Sequence, residues 1–156
     1  MRSRNILLSV IIIALASCAS HEQKICEKVL KDSLKTPASY HFVSFELEEE
    51  ETLADEINDR LDWLKADTFG YSFDRQAMEA FLTSTLEGSS TVDAVTARTY
   101  CLEYDAQNTF GALVRGKFYA RFNADRELVA YKTEGGSWTL VGQFFSIPGY
   151  YELLGH

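Results

Sequence analysis

Apolar residues recur at helical spacing through Ile25, Cys26, Val29, Leu30 and Leu34, until Pro37 forbids continuation. Ser20, three residues ahead of Gln23, has the spacing of a capping box, so the pattern predicts a helix over about 20–35. Residues 40–47 are rich in aromatic and β-branched types and predict a strand. Val43, Phe45 and Leu47 fall on one of its faces and Tyr40 and Phe42 on the other, which implies cover on both sides near its start. Thr52 can cap a second helix with Leu53, Ile57, Leu61 and Leu64 on one face and Glu56, Asp59 and Asp62 on the other. A third helix is predicted over about 74–87, with Met78, Phe81, Leu82 and Leu86 as its stripe and Gly88 as its stop. Residues 68–73 between these helices alternate as a short strand would, and are read as loop.

After Gly88 the period becomes twofold, and residues 91–104 predict a long strand. Asn108 and Gly111 supply a turn, and residues 112–122 form the clearest strand pattern. Ala112, Val114, Phe118, Ala120 and Phe122 point to a core, while Arg115, Lys117, Tyr119 and Arg121 point to water. A turn at 123–126 leads to a strand at 127–133, and Gly135-Gly136 opens an aromatic tail with Trp138, Phe144 and Phe145. No internal repeat or low-complexity linker interrupts this order. The predicted class is α+β: an N-terminal helix packed on an antiparallel sheet of about four strands, with a two-helix insertion between the first and second strands.

The first residues belong to a different kind of segment. Arg2 and Arg4 precede an apolar run over 6–16 and a small-residue stretch, the order of an export signal. The run is shorter than the roughly 20 apolar residues that a transmembrane helix needs. Leu15-Ala16-Ser17-Cys18 resembles the lipobox of bacterial lipoproteins. That resemblance implies cleavage after residue 17, a palmitate-bearing lipid anchor on Cys18, and a single extracytoplasmic domain over 18–156 held to the membrane by lipid. Ala19, where retention in the inner membrane favours Asp, implies the outer membrane, facing the periplasm.

Removal of residues 1–17 leaves 13 basic against 23 acidic residues, a net charge of −10. Such a balance argues against nucleic acid and anionic lipid surfaces as partners and for a protein partner in the cell envelope. The acid is concentrated: ten carboxylates against Arg60 and Lys65 lie between Glu46 and Asp67, within a helical insertion at 46–90. With Cys18 acylated, Cys26 and Cys101 remain as an even pair in an oxidising compartment, which predicts a disulfide.

The order of motifs also resembles a recurrent class of small secreted bacterial domain without assigned catalytic residues. The shared features are a Cys-bearing first helix, a break at Leu34-Lys35-Thr36-Pro37-Ala38-Ser39, and Asn108-Thr109-Phe110-Gly111 before a Phe-rich strand. The matched pieces, about 24–45 and 100–131, leave the helical insertion outside and bear on the fold.

No motif announces a chemistry. Glu48-Glu49-Glu50-Glu51 lacks the spacing that folds carboxylates round calcium, and acids ahead of a helix favour its positive end in any case. His21, His41 and His156 have no ligand spacing, so neither a metal nor a cofactor is expected. Glu103 and Asp105 share a strand face, as a carboxylate pair would, but an Asp at a strand end more often forms a turn. Arg115, Lys117, Tyr119 and Arg121 make a candidate binding surface for an anionic group, or else an ordinary wet sheet face, or one neutralised beneath the acidic insertion. The functional expectation is a non-enzymatic binding or assembly module; the alternative is an acidic inhibitor or immunity protein directed at a basic enzyme.

Overall fold

The first helix forms where Ser20 can cap it. In the computed structural model, which describes residues 19–66, 74–142 and 147, helix α1 spans His21–Ser33, and the Ser20 hydroxyl accepts from the Gln23 N–H at 3.1 Å. The Gln23 amide turns to Glu27 at 2.9 Å rather than back to Ser20, so only half of the capping box forms. A 3₁₀ turn at Pro37–Ser39 leads into strand β1, His41–Thr52. Helix α2, Leu53–Ala66, and helix α3, Arg75–Gly88, follow, then strands β2, Val95–Gln107, β3, Leu113–Asn123, β4, Leu128–Thr133, and β5, Thr139–Leu140.

The class is α+β, with an open antiparallel sheet in the order β1-β2-β3-β4-β5. Five strands replace the expected four because Thr139 and Leu140, too few to show a period, pair with Tyr131 and Ala130. Strand β1 also runs five residues past its predicted end, taking the four glutamates out of the insertion and into the sheet. Gly88 closes α3 as its last residue instead of standing beyond it, and Ser89 caps the helix in extended backbone. The predicted loop at 68–73, Cys18, Phe144, Phe145 and His156 lie outside the described residues.

The described parts of Met1–Phe45 and Leu102–Phe118 form one compact unit, and those of Glu46–Cys101 and Tyr119–His156 a second. In the first, Cys26, Leu30, Leu102, Ala106 and Phe118 are buried, and the Tyr40 and Tyr104 rings stack at 6.2 Å. The Ser39 hydroxyl accepts from the Gln107 N–H at 2.9 Å, fixing the entry to β1 beside the end of β2. The second unit has its own core, Leu53, Ile57, Leu64, Met78, Leu82 and Ile147. Each such side chain contributes roughly 1.5–3 kcal/mol on burial. Thr52 and Asp55 cap α2 reciprocally, Asp55 N–H donating to the Thr52 hydroxyl at 3.2 Å and Thr52 N–H to the Asp55 carboxylate at 2.8 Å.

Gly116 on β3 is required by space rather than by backbone angle. A Cβ there would lie 2.8 Å from both Cζ and Oη of Tyr104. Gly116→Ala should therefore push the Tyr104 ring off Tyr40 and destabilise the protein by about 1–3 kcal/mol, the usual range for overpacking. Urea unfolding measures this, and a midpoint equal to that of the parent would show that the ring yields freely.

Candidate functional site

Strand β3 passes from exposed at Leu113, Val114 and Arg115 to buried at Ala120, Arg121 and Phe122. The alternating pattern predicts a core face and a wet face along its whole length, and the structure corrects both ends. Val114, assigned to the core, is 48% exposed, and Arg121, assigned to water, is 3% exposed.

In the first unit, the basic residues of β3 are paired with acids on β2. The Arg115 guanidinium donates through Nε and one Nη to the two carboxylate oxygens of Asp105, each at 3.0 Å, and Lys117 pairs with Glu103 at 3.1 Å. The hydrogen bonds from Arg115 hold the Asp105 carboxyl below its ordinary value and raise the guanidinium in turn. Glu103 and Asp105 are thus tied to the cations opposite them rather than to each other as an acid–base couple. Arg115 and Lys117 belong to a hairpin ladder of ion pairs, not to an open basic row.

Beyond this ladder the hairpin ends in an apolar tip. The Asn108 side chain accepts from Phe110 N–H at 2.9 Å and Ala112 N–H at 3.1 Å, and Gly111 takes φ +80, a left-handed angle that suits glycine. Phe110 on this turn is 92% exposed, and Leu113, 61% exposed, and Val114 open the following strand on its opposite faces. A shallow cleft of about 200 Å³ lies alongside, lined in part by Leu34, Tyr104, Val114 and Gly116. Burial pushes up the hydroxyl of Tyr104, which lines the cleft, and that of Tyr40, stacked on it, further, so both rings are neutral at physiological pH. Phe110 and Leu113 escape sequence reasoning because a Phe in a strand-rich segment reads as core; the one legible sign was its place inside an Asn-x-x-Gly turn.

In the second unit, Arg121 pairs through Nη2 with Glu51 on β1 and with Glu56 on α2, the latter at 3.4 Å. Thr96 on β2 donates to the same Glu56 oxygen at 2.7 Å. Glu50 takes Arg98 at 2.7 Å, so half of the Glu48–Glu51 run is spent on cross-strand pairs, while Glu48 and Glu49 remain exposed. Tyr119 packs under Lys132, whose ammonium stands 5.4 Å from its ring and 4.6 Å from that of Trp138.

Cys26 and Cys101 are both buried and carried as thiols, not as a disulfide. Burial pushes the Cys26 thiol up to about 12, which leaves it protonated and unreactive at neutral pH. His21 and His41 are exposed. Among the described residues no three His, Cys, Asp or Glu side chains gather as a metal site requires, and no helix is long and apolar enough to cross a membrane. No family model, curated protein or solved structure matches the chain.

Two outcomes follow from these contrasting charges. Arg121→Ala leaves a buried carboxylate without its cation and should cost about 3–5 kcal/mol, whereas Arg98→Ala, at an exposed pair, should cost about 0–1 kcal/mol. Parallel denaturant titrations check the difference, and equal losses would contradict the burial argument. In Arg115→Gln, the Asp105 carboxyl should titrate closer to its ordinary value of 3.8, read by NMR of the carboxyl carbon. Because its folded value is depressed, the pair stabilises the protein above the unfolded value, and that contribution is lost as pH falls through the folded one.

Proposed function

We propose that this chain is an envelope lipoprotein, exported behind residues 1–17 and anchored by lipid on Cys18 to the outer membrane, whose folded part is a non-enzymatic binding or assembly module. The protein-contacting surface in this reading is the hairpin tip, and the candidate row Arg115, Lys117, Tyr119 and Arg121 serves to hold the hairpin and the insertion in place. The observation that carries it is the 92% exposure of Phe110 beside Leu113 and Val114, an apolar surface on a chain otherwise rich in charge. Commitment of Glu50, Glu51 and Glu56 to internal pairs speaks for this reading over an acidic inhibitor, which would need those carboxylates free.

In the same reading α1 packs on the sheet through Cys26 and Leu30, and an oxidising compartment joins Cys26 to Cys101. Such a bond would stabilise the domain by about 4–5 kcal/mol in the chain-entropy account. The raised Cys26 thiol supports a structural use for that sulfur over a nucleophilic one.

The anchor is tested by feeding labelled palmitate: the parent should incorporate it, and Cys18→Ala should lose both label and membrane retention. The surface is tested by placing a photo-crosslinking residue at position 110 or 140 of the lipidated protein in intact cells. A discrete adduct from position 110, absent from position 140, which is also exposed, and abolished by Leu113→Ser without a change in melting temperature, is expected. Equal adduct patterns from both positions would remove the hairpin tip as the contact surface.

A further inference from the structure

The net charge hides a local exception on α1. At 100° per residue, Lys24, Lys28 and Lys31 fall within an arc of about 60°, on the side of the helix opposite buried Cys26 and Leu30. Lys35, two residues past the end of the helix, is also exposed. Lys31 is engaged with Glu27 at 2.9 Å and stands 4.3 Å from the Tyr40 ring. Lys24, Lys28 and Lys35 have no ion pair among the described residues. The basic side chains elsewhere in the described chain are held by carboxylates, rings or other contacts. The unspent positive charge is therefore gathered on the element that directly follows Cys18.

We infer that this lysine face of α1 docks on anionic phospholipid headgroups, so that the helix lies along the surface of the membrane that holds the protein. The inference rests on the anchoring role of Cys18 and adds to it an orientation and a lipid preference. Only Ala19 and Ser20 separate Cys18 from the helix, and two extended residues span about 7 Å, so an acylated sulfur keeps the first turn of α1 at the headgroup level. Charge complementarity supplies the rest: a lysine held near an anionic surface contributes roughly fivefold to partitioning. The overall charge of −10 does not oppose this, because at physiological salt the screening length is about 8 Å and carboxylates beyond it are not felt at the contact. On α1 itself Glu22 is buried, Glu27 is neutralised by Lys31, and Asp32 at the border of the row is the exposed acid that remains. A membrane is preferred to an acidic protein as the occupant because the anchor brings it to this face whether or not a second protein is present.

The test uses the full lipidated protein in vesicles of phosphatidylcholine alone or with about a third phosphatidylglycerol. Lysine acylation by an activated acetate ester is followed residue by residue with mass spectrometry. Lys24, Lys28 and Lys35 should react about five- to tenfold more slowly on the anionic vesicles, Lys65 should react alike on both, and about 0.5 M salt should erase the contrast. Lys24→Glu combined with Lys28→Glu should abolish protection at Lys35 while the protein still floats with both vesicle types. Flotation with both vesicle types and equal acylation rates would overturn the docking and leave the anchor intact. Slow reaction on neutral and anionic vesicles alike would also overturn it, because the protection would then owe nothing to headgroup charge. Failure to float with either type removes the anchor and the docking together.

Discussion

A guanidinium taken out of water must be met by carboxylates, and Arg121 is met by two. The cost of stripping solvent from such a group is several kcal/mol, so the fold of the second unit is constrained less by what the pairs contribute than by what their loss would expose. Four elements converge on the one network: β1 through Glu51, α2 through Glu56, β2 through Thr96 and β3 through Arg121. A helix α2 slid by a turn would strand Arg121 without Glu56. The apolar stripe of Leu53, Ile57 and Leu64 holds the helix to its core, and the charge network adds a requirement of register that apolar contact by itself lacks.

The first unit solves a milder problem. Its cations and anions face each other across the β2–β3 hairpin near water, where pairing is cheap to make and cheap to lose. Its shape is set instead by rings: Tyr40 on Tyr104, and Tyr104 over a position where only glycine leaves room. With charges cancelled along the ladder and the aromatic walls neutral, the tip beyond Asn108 is an apolar surface framed by nothing that would repel a partner of either sign.

The three helices and strands β1 to β4 are legible from periodicity, because the helix starts at Ser20, Thr52 and Asp74 and the turn at Asn108 are local chemistry, whereas β5 is too short to show a period. What periodicity missed was non-local. Glutamates are poor strand formers, so the pattern ends β1 at Leu47, yet Arg98 and Arg121 on other strands hold Glu50 and Glu51 in the sheet. Parity along β3 placed Arg121 on the correct side of the strand and then sent it to solvent, since Glu56, 65 residues upstream, covers that side. The same parity sent Val114 to a core that does not extend as far as the hairpin tip. Of the candidate binding row, its position on one strand was readable, and its prior commitment to internal acids was not.

Strand β1 stands at one end of the sheet order, with Glu48 and Glu49 in the open and two further acids beside them. Unpaired main-chain donors and acceptors on a terminal strand are an invitation to any other strand, that of a second copy included. Here two copies approaching margin to margin bring glutamate against glutamate, and the repulsion denies each chain the use of its twin as a template. The acidic run thereby opposes edge-to-edge pairing of two copies, which takes no more than a row of like charges at the margin of a sheet.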